Sequence, residues 1–395
     1  MNSAVKVLAI APIIGSTGDT VNERQLITAI SRYSKKVVVL SPVSIRYIID
    51  RSYRIYLSRR PSNMKIITIP FTLMPFNQIW IINFVIYILY ALLLFIVAYV
   101  LDLKINFDIV YVRDSRFTLF ITFSKRLSTK TFVKIGGIAE EMIDTNVFRR
   151  LMESIMCAID RHVMKNVAGI ATASTNIAKR LFLKRQFLPR KIFIIPPGIT
   201  WSIIDVVNRY CPRRKRILKD GIAVGFLGML AHWQGIDILC DIVAELNRRG
   251  YKAKLKVIGD GPLRRYLTKK CIDTGVDVEI TGFLMHHEAL CLARKEFDVL
   301  VLPRIRTETT SNIIPIKVIE ALALGIPLVV TNLPIYRILE GRGLYTAQRT
   351  PKHFADTILK TILNPHNKAD HDLLKTFSYE YIASEFLKVA LGSKT

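Results

Sequence analysis

The pattern of apolar and polar positions is clearest between Val299 and Thr331, where two short apolar runs enclose an amphipathic segment. Residues 299–302 and 328–330 are too short for helices and are stopped by turn or breaker residues, which is typical of buried parallel strands. Between them, apolar residues recur at helical spacing over 316–324 until a Gly-x-Pro stop. The pattern therefore predicts a strand, a polar loop, a helix and a second parallel strand.

Polar residues in this unit lie where an anionic ligand would bind. Ligands of open parallel sheets sit beyond the carboxyl ends of the strands, where a helix amino terminus offers free N–H groups to a phosphate. Ser311 and Asn312 are suitable caps for the predicted helix, and Lys317 and Glu320 share nearly the same helix face. A carboxylate at that depth can accept hydrogen bonds from ribose hydroxyls, which indicates a nucleotide-sugar or dinucleotide site. The other interpretation is a Lys–Glu pair on a solvated helix face.

Similar runs elsewhere predict an α/β fold for the whole chain. Apolar segments of strand length occur at 5–10, 36–40, 107–112, 223–228 and 254–258, with helical patterns between them. This alternation is typical of doubly wound parallel sheets. A chain of 395 residues is long enough for two domains, each with its own core.

One segment raises the question of a membrane. Residues 79–101 carry no charge, and they are numerous enough for a helix that spans a bilayer. Strands are predicted on both sides of the segment, and a single crossing would separate strands of one sheet. We therefore favour a helix packed on the amino-terminal domain and partly sunk in one leaflet. A fully buried core helix and a true span are the alternatives.

Basic residues outnumber acidic ones by 57 to 31, and the net charge of +26 implies an anionic partner. Six basic residues between Arg46 and Lys65 alternate with tyrosines, a pattern found both at single-stranded nucleic-acid sites and at membrane interfaces. The uncharged segment that follows favours anionic lipid headgroups over nucleic acid. A second basic run, within 200–220, is typical of a linker between domains.

The distribution of cysteine and histidine predicts neither disulfides nor a metal site. Five cysteines are scattered without a C-x-x-C pair, so we expect a reduced chain with no disulfide or zinc framework. His286 and His287 have no acidic or cysteine partner at the spacing of metal ligands. The apolar run 5–10 stops before Pro12, which predicts a first strand rather than a signal peptide.

Five segments resemble the retaining glycosyltransferases of family four, the glycosyl transferases group 1, which have the GT-B fold. They occur in the family's order: GFLGMLAHWQGIDIL (225–239), VIGDGPLRRYL (257–267), VEITGFL (278–284), FDVLVLP (297–303) and PIKVIEALALGIPLVVT (315–331). The resemblance implies two Rossmann-like, doubly wound domains that face a central cleft. It also implies a nucleoside-diphosphate sugar as donor substrate, with no cofactor and no metal.

The resemblance also implies a division of the chain. We expect an amino-terminal acceptor-side domain over 1–199, which includes the apolar helix at 79–101, and a basic linker over 200–220. A nucleotide-sugar-binding domain would follow over 221–365. A helical segment over 366–395 would then cross back to the amino-terminal domain.

On the donor side, the resemblance implies that Glu320 holds the ribose and that the backbone near Asn312 faces the phosphates. The family's second acidic residue is replaced here by Asn312, and the two cations that commonly hold the diphosphate are replaced by Met229 and Gln234. Three cations are candidate replacements: Arg304, Arg306 and Lys317. The full set of expected donor-binding residues is Gly228, Gln234, Gly259, Gly261, Pro262, Arg304, Arg306, Ser311, Asn312, Ile313, Ile314, Lys317 and Glu320.

On the acceptor side, Gly15 and Gly18 lie in the loop that would form a wall of the cleft. Gly136 stands where the family commonly has a His, so Glu140 and Glu141 become the nearest carboxylates and, with Asn312, the catalytic candidates. Arg113 follows a predicted strand and is a candidate contact for an acceptor phosphate. The other interpretation of Arg113 is a residue of a solvated loop.

The resemblance implies a metal-independent, retaining glycosyltransferase of the hexosyltransferase type. We expect a lipid-linked or glycan acceptor and a chain held peripherally or monotopically on the cytosolic face of the cell membrane. An anionic membrane surface is the expected partner, and nucleic acid is not. The alternative, prompted by the replaced cations, is a non-catalytic protein of GT-B fold that binds membranes or partner proteins.

Overall fold

The structure is a computed structural model of the 395-residue chain. It describes residues 4–15, 18–44, 57–58, 60–71, 80–136, 146–186, 191–213, 221–363 and 370–392, and only the backbone at 18, 80–84 and 146–153. The chain forms two compact units, one of residues 1–198 with 379–395 and the other of residues 199–378.

The first unit is built on a parallel sheet of seven strands in the order β3-β2-β1-β4-β5-β6-β7. The strands are β1 (Lys6–Ile10), β2 (Lys36–Val43), β3 (Met64–Pro70), β4 (Ile109–Arg113), β5 (Thr131–Ile135), β6 (Gly169–Thr172) and β7 (Ile192–Ile194). Strands β1, β2 and β4 are almost fully buried, in keeping with their continuous apolar runs. The sequence interpretation assigned no strand to 64–70, where the burial pattern is mixed.

Helices connect these strands and cover the sheet. They are α1 (Gly18–Arg32), α2 (Trp80–Ile105), α3 (Ser115–Thr118), α4 (Lys125–Ser128), α5 (Asn146–Asn166), α6 (Thr175–Arg185) and, returning from the other unit, α15 (Tyr379–Leu391). Helix α15 packs beside α1, where Tyr379 donates a hydrogen bond to Asn22 over 2.7 Å. Its Phe386 is fully buried against Tyr111 of the central strand β4.

Helix α2 is half-buried. Its inward side, which includes Tyr90, Ala91, Leu94 and Ala98, joins a core cluster with residues of β1, β2 and β4. The opposite side of the same helix is apolar and exposed: Val85, Leu89, Leu92, Leu93, Ile96, Tyr99, Val100 and Leu103. The alternative of a fully buried core helix is therefore wrong. Residues 85–105 are long and apolar enough to cross a membrane, but strand β4, directly after them, pairs with β1.

The second unit contains a parallel six-stranded sheet in the order β10-β9-β8-β11-β12-β13. Its strands are β8 (Ile222–Leu227), β9 (Ala253–Ile258), β10 (Val278–Ile280), β11 (Val299–Leu302), β12 (Leu328–Thr331) and β13 (Leu344–Ala347). Its helices are α7 (Trp201–Tyr210), α8 (Leu239–Arg248), α9 (Arg264–Asp273), α10 (His286–Glu296), α11 (Glu308–Asn312), α12 (Ile316–Ala323), α13 (Pro351–Leu363) and α14 (His371–Thr376). The strand order reverses between β8 and β11, and ligands of such sheets bind at this point.

Two disulfides lie in the second unit, which contradicts the expectation of a reduced chain. Cys211, at the end of α7, is bonded to Cys291 of α10, and Cys240 of α8 is bonded to Cys271 of α9. The pairs are separated by 80 and 31 residues in sequence. The parallel fold brings these distant positions together, so local spacing gave no indication of either bond. Cys157 is the free cysteine among the described residues.

Candidate functional site

The turns at the carboxyl ends of β8 and β9 bring backbone against backbone. Gly228 has a φ of +126° and Gly259 a φ of +139°, and a Cβ on Gly259 would lie 2.1 Å from the Gly228 carbonyl oxygen. A Cβ on Gly261 would lie 2.6 Å from the carbonyl oxygen of Leu230. Because no larger residue fits, these glycines are needed for the close approach of the two turns. Because these glycines have no side chains, the space above the two turns is open to side chains from neighbouring segments.

The amino group of Lys317 occupies part of the space next to Gly228. Lys317 lies in the first turn of α12, and a Cβ on Gly228 would be 2.3 Å from its Nζ. The Nζ lies 5.1 Å from the centre of the Phe226 ring, it is buried, and no described residue accepts a hydrogen bond from it. Burial, and to a smaller extent the nearby charge of Arg304, lower the pKa of Lys317 to about 7, although Glu320 opposes both effects.

A second buried cation lies beside Lys317. Arg304 follows β11, and its side chain is buried where the loop turns away from the sheet. Its Nη1 donates to the Ile313 carbonyl over 3.3 Å, whereas its Nε has no acceptor among the described residues. Two neighbouring cations with unsatisfied N–H groups form a site suited to an anion with several oxygens.

Glu320 lies one turn further along α12 and has a partner that the sequence did not indicate. The Nε2 of His286 is 2.5 Å from Oε1 of Glu320, and the Glu320 side chain is only 5% exposed. His286 is the first residue of α10 and is 34 positions away in sequence. Its proximity to an acidic residue depends on the packing of α10 beside α12, so no spacing rule applied to the sequence could find it.

The start of α12 differs from the prediction. Ser311 and Asn312 end the separate short helix α11, which Thr307 caps by accepting a hydrogen bond from the Thr310 amide. Asn312 donates to the Glu308 carbonyl over 2.7 Å, and Pro315 is the residue that precedes the first turn of α12. Ser311 and Asn312 are therefore not caps of the helix that carries Lys317. Proline is favoured at this end of a helix because the missing N–H would have no helical acceptor.

The other donor-side candidates lie around this cluster with different exposure. Arg306 is exposed, unlike Arg304 two residues earlier, and Pro262 is exposed in the turn after β9. Gln234 is buried in the short helix His232–Gln234, and its Oε1 has no hydrogen-bond donor among the described residues. The structure thus brings Gly228, Arg304, Lys317 and Glu320 together and adds His286.

The acceptor-side candidates lie in the first unit, at the carboxyl ends of its central strands. Arg113 ends β4, and its Nε is 3.2 Å from Oε1 of Glu23, which also accepts a hydrogen bond from Lys134 over 2.8 Å. Burial would raise the pKa of Glu23, but the charges of Lys134 and Arg113 hold that pKa below its ordinary value. A Cβ on Gly136 would lie 2.4 Å from Arg113 Nη2. The guanidinium therefore occupies the space that a side chain at position 136 would take.

The remaining acceptor-side candidates are only partly described. Gly15 has a φ of +144° in the loop after β1, and Gly18 is the first residue of α1. Glu140 and Glu141 lie outside the described residues, as do Arg46, Arg51, Arg54 and Arg59 of the basic and aromatic run. Among the described side chains, no group of three or more His, Cys, Asp or Glu residues is arranged to hold a metal ion.

Comparison with known proteins supports the resemblance that the motifs indicate. Residues 221–364 match the family described as glycosyl transferases group 1. A 2-deoxystreptamine glucosyltransferase of Streptomyces kanamyceticus is 26% identical over 184 residues, which are 45% of this chain and 46% of that enzyme. The chain spans about half the length of the curated relatives it matches.

Solved structures are similar over the whole chain. A glycosyltransferase from Rickettsia africae ESF-5 has a TM-score of 0.65 at 14% identity, with 100% of both chains covered. Anabaena HepE in complex with UDP has a TM-score of 0.67 at 12% identity, with 99% of this chain and 100% of HepE covered. The predicted GT-B fold and the resemblance to the group 1 family are therefore confirmed.

Proposed function

We propose that this GT-B chain, whose residues 221–364 match the glycosyl transferases group 1, is a glycosyltransferase that uses a nucleoside-diphosphate sugar. One observation carries the proposal: the buried ammonium of Lys317 lies beside Arg304 at the strand-order reversal, and both have N–H groups without acceptors among the described residues. The relative HepE binds UDP in its solved structure, which supports a nucleoside diphosphate as the ligand.

The two cations favour a diphosphate because burial has removed them from water and left their charges without a salt-bridge partner among the described residues. An unpaired cation out of water is destabilised by several kcal/mol, as the lowered pKa of Lys317 indicates. A diphosphate would supply the missing negative charge and several acceptor oxygens. The amino terminus of α12 would add to this attraction, because it forms the positive end of the helix dipole. Lys317 and Arg304 thus replace the cations missing at Met229 and Gln234.

The same groups would promote the transfer. When the bond between the anomeric carbon and the diphosphate oxygen breaks, the electron pair stays on the oxygen, and charge develops there. Lys317 and Arg304 would stabilise that charge. The acceptor hydroxyl oxygen would form the new bond to the anomeric carbon, and its proton would pass to the departing diphosphate oxygen. This arrangement supports a metal-independent reaction. Retention of the anomeric configuration follows from the family resemblance alone, and the catalytic roles of Glu140, Glu141 and Asn312 stay predictions.

The acceptor is proposed to be lipid-linked or a glycan at the cytosolic face of the membrane. The exposed apolar side of α2 and the net charge of +26 support this, because apolar contact and cationic attraction together hold proteins on anionic bilayers. Arg113, at the carboxyl end of β4, would contact an acceptor phosphate. A protein held in this way meets lipid-linked substrates at the surface where they reside.

The proposal is tested by incubating the protein with a panel of nucleotide sugars and measuring release of the nucleoside diphosphate. We expect release with at least one donor, a loss of roughly tenfold to a hundredfold in donor affinity in Glu320→Gln, and a comparable loss in Lys317→Met. Lys352→Met removes an exposed lysine from the same unit and should leave affinity unchanged. Binding without turnover across the panel and a range of acceptors would favour the non-catalytic alternative, and no binding at all would contradict the donor site.

A further inference from the structure

His286 contacts only one of the two oxygens of the buried Glu320 carboxylate. Oε1 lies 2.5 Å from the imidazole Nε2, and since a carboxylate only accepts hydrogen bonds, Nε2 must carry the proton. The contact with His286 is the one side-chain hydrogen bond between this carboxylate and a described residue, and it is made at Oε1. A carboxylate has room for several donors, so the imidazole leaves Oε2 and one lone pair of Oε1 for a ligand.

The helix that carries His286 is fixed at its other end. Cys291 of α10 is bonded to Cys211, and Arg294 donates to the Cys211 carbonyl over 2.8 Å. Arg294 also donates to the carbonyl of Leu324, the residue that ends α12. Two contacts therefore connect α10 with α12. Arg294 bonds to the Leu324 carbonyl at the end of α12, and His286 contacts Glu320 within α12. Because α10 is held in this way, the His286 side chain loses little conformational entropy when it orients Glu320.

We propose that His286 is a positioning residue that makes Glu320 selective for the ribose of the donor nucleotide. By holding Oε1, the imidazole fixes the carboxylate so that Oε2 faces the ribose hydroxyls. The inference rests on the proposed function, because it requires a nucleotide in this site. It goes further by assigning a role to His286, which lies on a different helix from the residues that hold the phosphates.

The consequence is a preference for ribonucleotides over their deoxy forms. A carboxylate that is fixed in place before binding loses little conformational entropy when it accepts a hydroxyl. A buried carboxylate left without that hydroxyl loses a charge-assisted hydrogen bond, which corresponds to roughly tenfold to a hundredfold in affinity. Without His286, the Glu320 side chain can rotate, and much of the difference between the two nucleotides should disappear.

The test compares dissociation constants for UDP, GDP and ADP with those for their 2′-deoxy and 3′-deoxy forms. In the full-length protein we expect at least one ribonucleotide to bind about tenfold or more tightly than its deoxy forms. His286→Leu should reduce that ratio to about threefold or less with little change for the deoxy forms. His286→Gln keeps an N–H donor near the position of Nε2 and should retain most of the ratio. His287→Leu changes the exposed neighbour and should leave the ratio as it is.

Two results would overturn the inference while the proposed function stands. An equal loss of affinity for both nucleotide forms in His286→Leu would mean that His286 only supports the local structure. Tighter binding of ribonucleotides in the same variant would mean that the imidazole competes with ribose for Glu320. Failure of the unmodified protein to bind any of the three diphosphates would instead contradict the proposed function itself. Thermal unfolding of each variant shows whether a change in affinity reflects a loss of fold.

Discussion

Lys317 carries a buried ammonium that the fold leaves without a hydrogen-bond acceptor among the described residues. Arg304 lies close enough to disfavour its charge, and Glu320, the carboxylate that favours it, is already in contact with His286. Such an arrangement destabilises the unliganded protein, since an unpaired buried cation has lost its hydration. It becomes favourable when an anion binds. Lys317 is therefore better explained by ligand binding than by stability.

The pH dependence of diphosphate binding should reflect this lysine. Its pKa is about 7 in the free protein, and a bound diphosphate would raise that pKa, so binding takes up a proton when the pH is above 7. Affinity should therefore fall as the pH rises from 7 to 9, and Lys317→Met should bind more weakly with a flatter profile. Calorimetry in buffers with different ionisation enthalpies measures the proton uptake.

Two variants are controls for that measurement. Lys352→Met should keep the slope, because Lys352 is exposed. His286→Leu removes the nearby imidazole, and it should also keep the slope above pH 7 if Lys317 is the group that titrates. A slope that survives in Lys317→Met would assign the proton to another group.

Gly228 limits the space around the same ammonium. Gly228→Ala places a Cβ 2.3 Å from Lys317 Nζ and puts a side chain on a backbone with a φ of +126°. The backbone strain should cost about 1–3 kcal/mol of folding free energy, and the displaced amino group should lower the affinity for diphosphate more than for nucleoside. Gly250→Ala is a matched control, because Gly250 has a φ of +87° with nothing within 4 Å of a Cβ. It should reduce the melting temperature without changing affinity, and an equal effect on affinity would contradict the proposed contact.

Helix α2 is apolar on both sides, although only one side is buried in the core. Residues on one side pack under β1 and β4, while the other side exposes apolar side chains over about 27 Å, from Val85 to Leu103. Soluble monomers rarely leave so large an apolar area in water. Exposed cations lie near the carboxyl end of the helix: Lys104, Lys125 and Arg126. These features fit a helix that lies in the plane of an anionic membrane surface.

Vesicle binding should depend on that apolar side. We expect the protein to pellet with vesicles of phosphatidylserine and phosphatidylcholine at low salt. Leu89→Gln, Ile96→Gln and Leu103→Gln together should reduce binding at least tenfold, because each buried apolar side chain contributes about 1.5–3 kcal/mol. High salt should release only part of the protein, since it screens the charges but not the apolar contact.

A matched triple variant tests whether hydrophobicity alone explains vesicle binding. Val206→Gln, Ile272→Gln and Ile338→Gln change three exposed apolar residues of the second unit and should leave binding intact. If the unmodified protein stays in solution in the presence of these vesicles, the membrane proposal and the lipid-linked acceptor are both contradicted.

Across the whole molecule, the two units are stabilised differently. The first unit is closed by α15, a helix from the end of the chain whose Phe386 packs on Tyr111, Phe132 and Phe193. The second unit contains both described disulfides. Cys240 and Cys271 are fully buried, which protects their bond from reductants in the surrounding solution. The two units should therefore respond differently to reduction.

Reduction under conditions that open the disulfides should lower the stability of the second unit. Each bond is expected to contribute about 2–4 kcal/mol by restricting the unfolded chain. Cys240→Ser with Cys271→Ser should reduce the unfolding temperature and the nucleotide affinity measured near it, whereas Cys157→Ser should change neither. Titration of the denatured, unreduced protein should find one thiol of the five cysteines. Five reactive thiols would show that the bonds are absent from the purified protein.

The sequence by itself determined the local elements and their chemistry. Continuous apolar runs such as 299–302 have no polar face, so they predicted buried parallel strands, and these formed as β11 and its neighbours. The helical spacing placed Lys317 and Glu320 on one helix, and both lie there. The glycine turns and the Gly-x-Pro stop are contiguous motifs, so the sequence also showed the resemblance to the glycosyl transferases group 1 over residues 221–364. Such features depend on residues a few positions apart, which the chain specifies directly.

Only the tertiary structure decided which distant residues meet. His286 reaches Glu320 from another helix, Lys317 lies against Gly228, and Cys211 is bonded to Cys291 across 80 residues. The exposed side of α2 and the burial of Arg304, but not Arg306, likewise depend on how the elements pack. Parallel strands are joined through long crossovers, so residues that share a site are separated by whole helices in sequence. The apolar pattern repeats over a few residues, so it carries no information about such separations. The order of strands in the sheet sets the contacts instead.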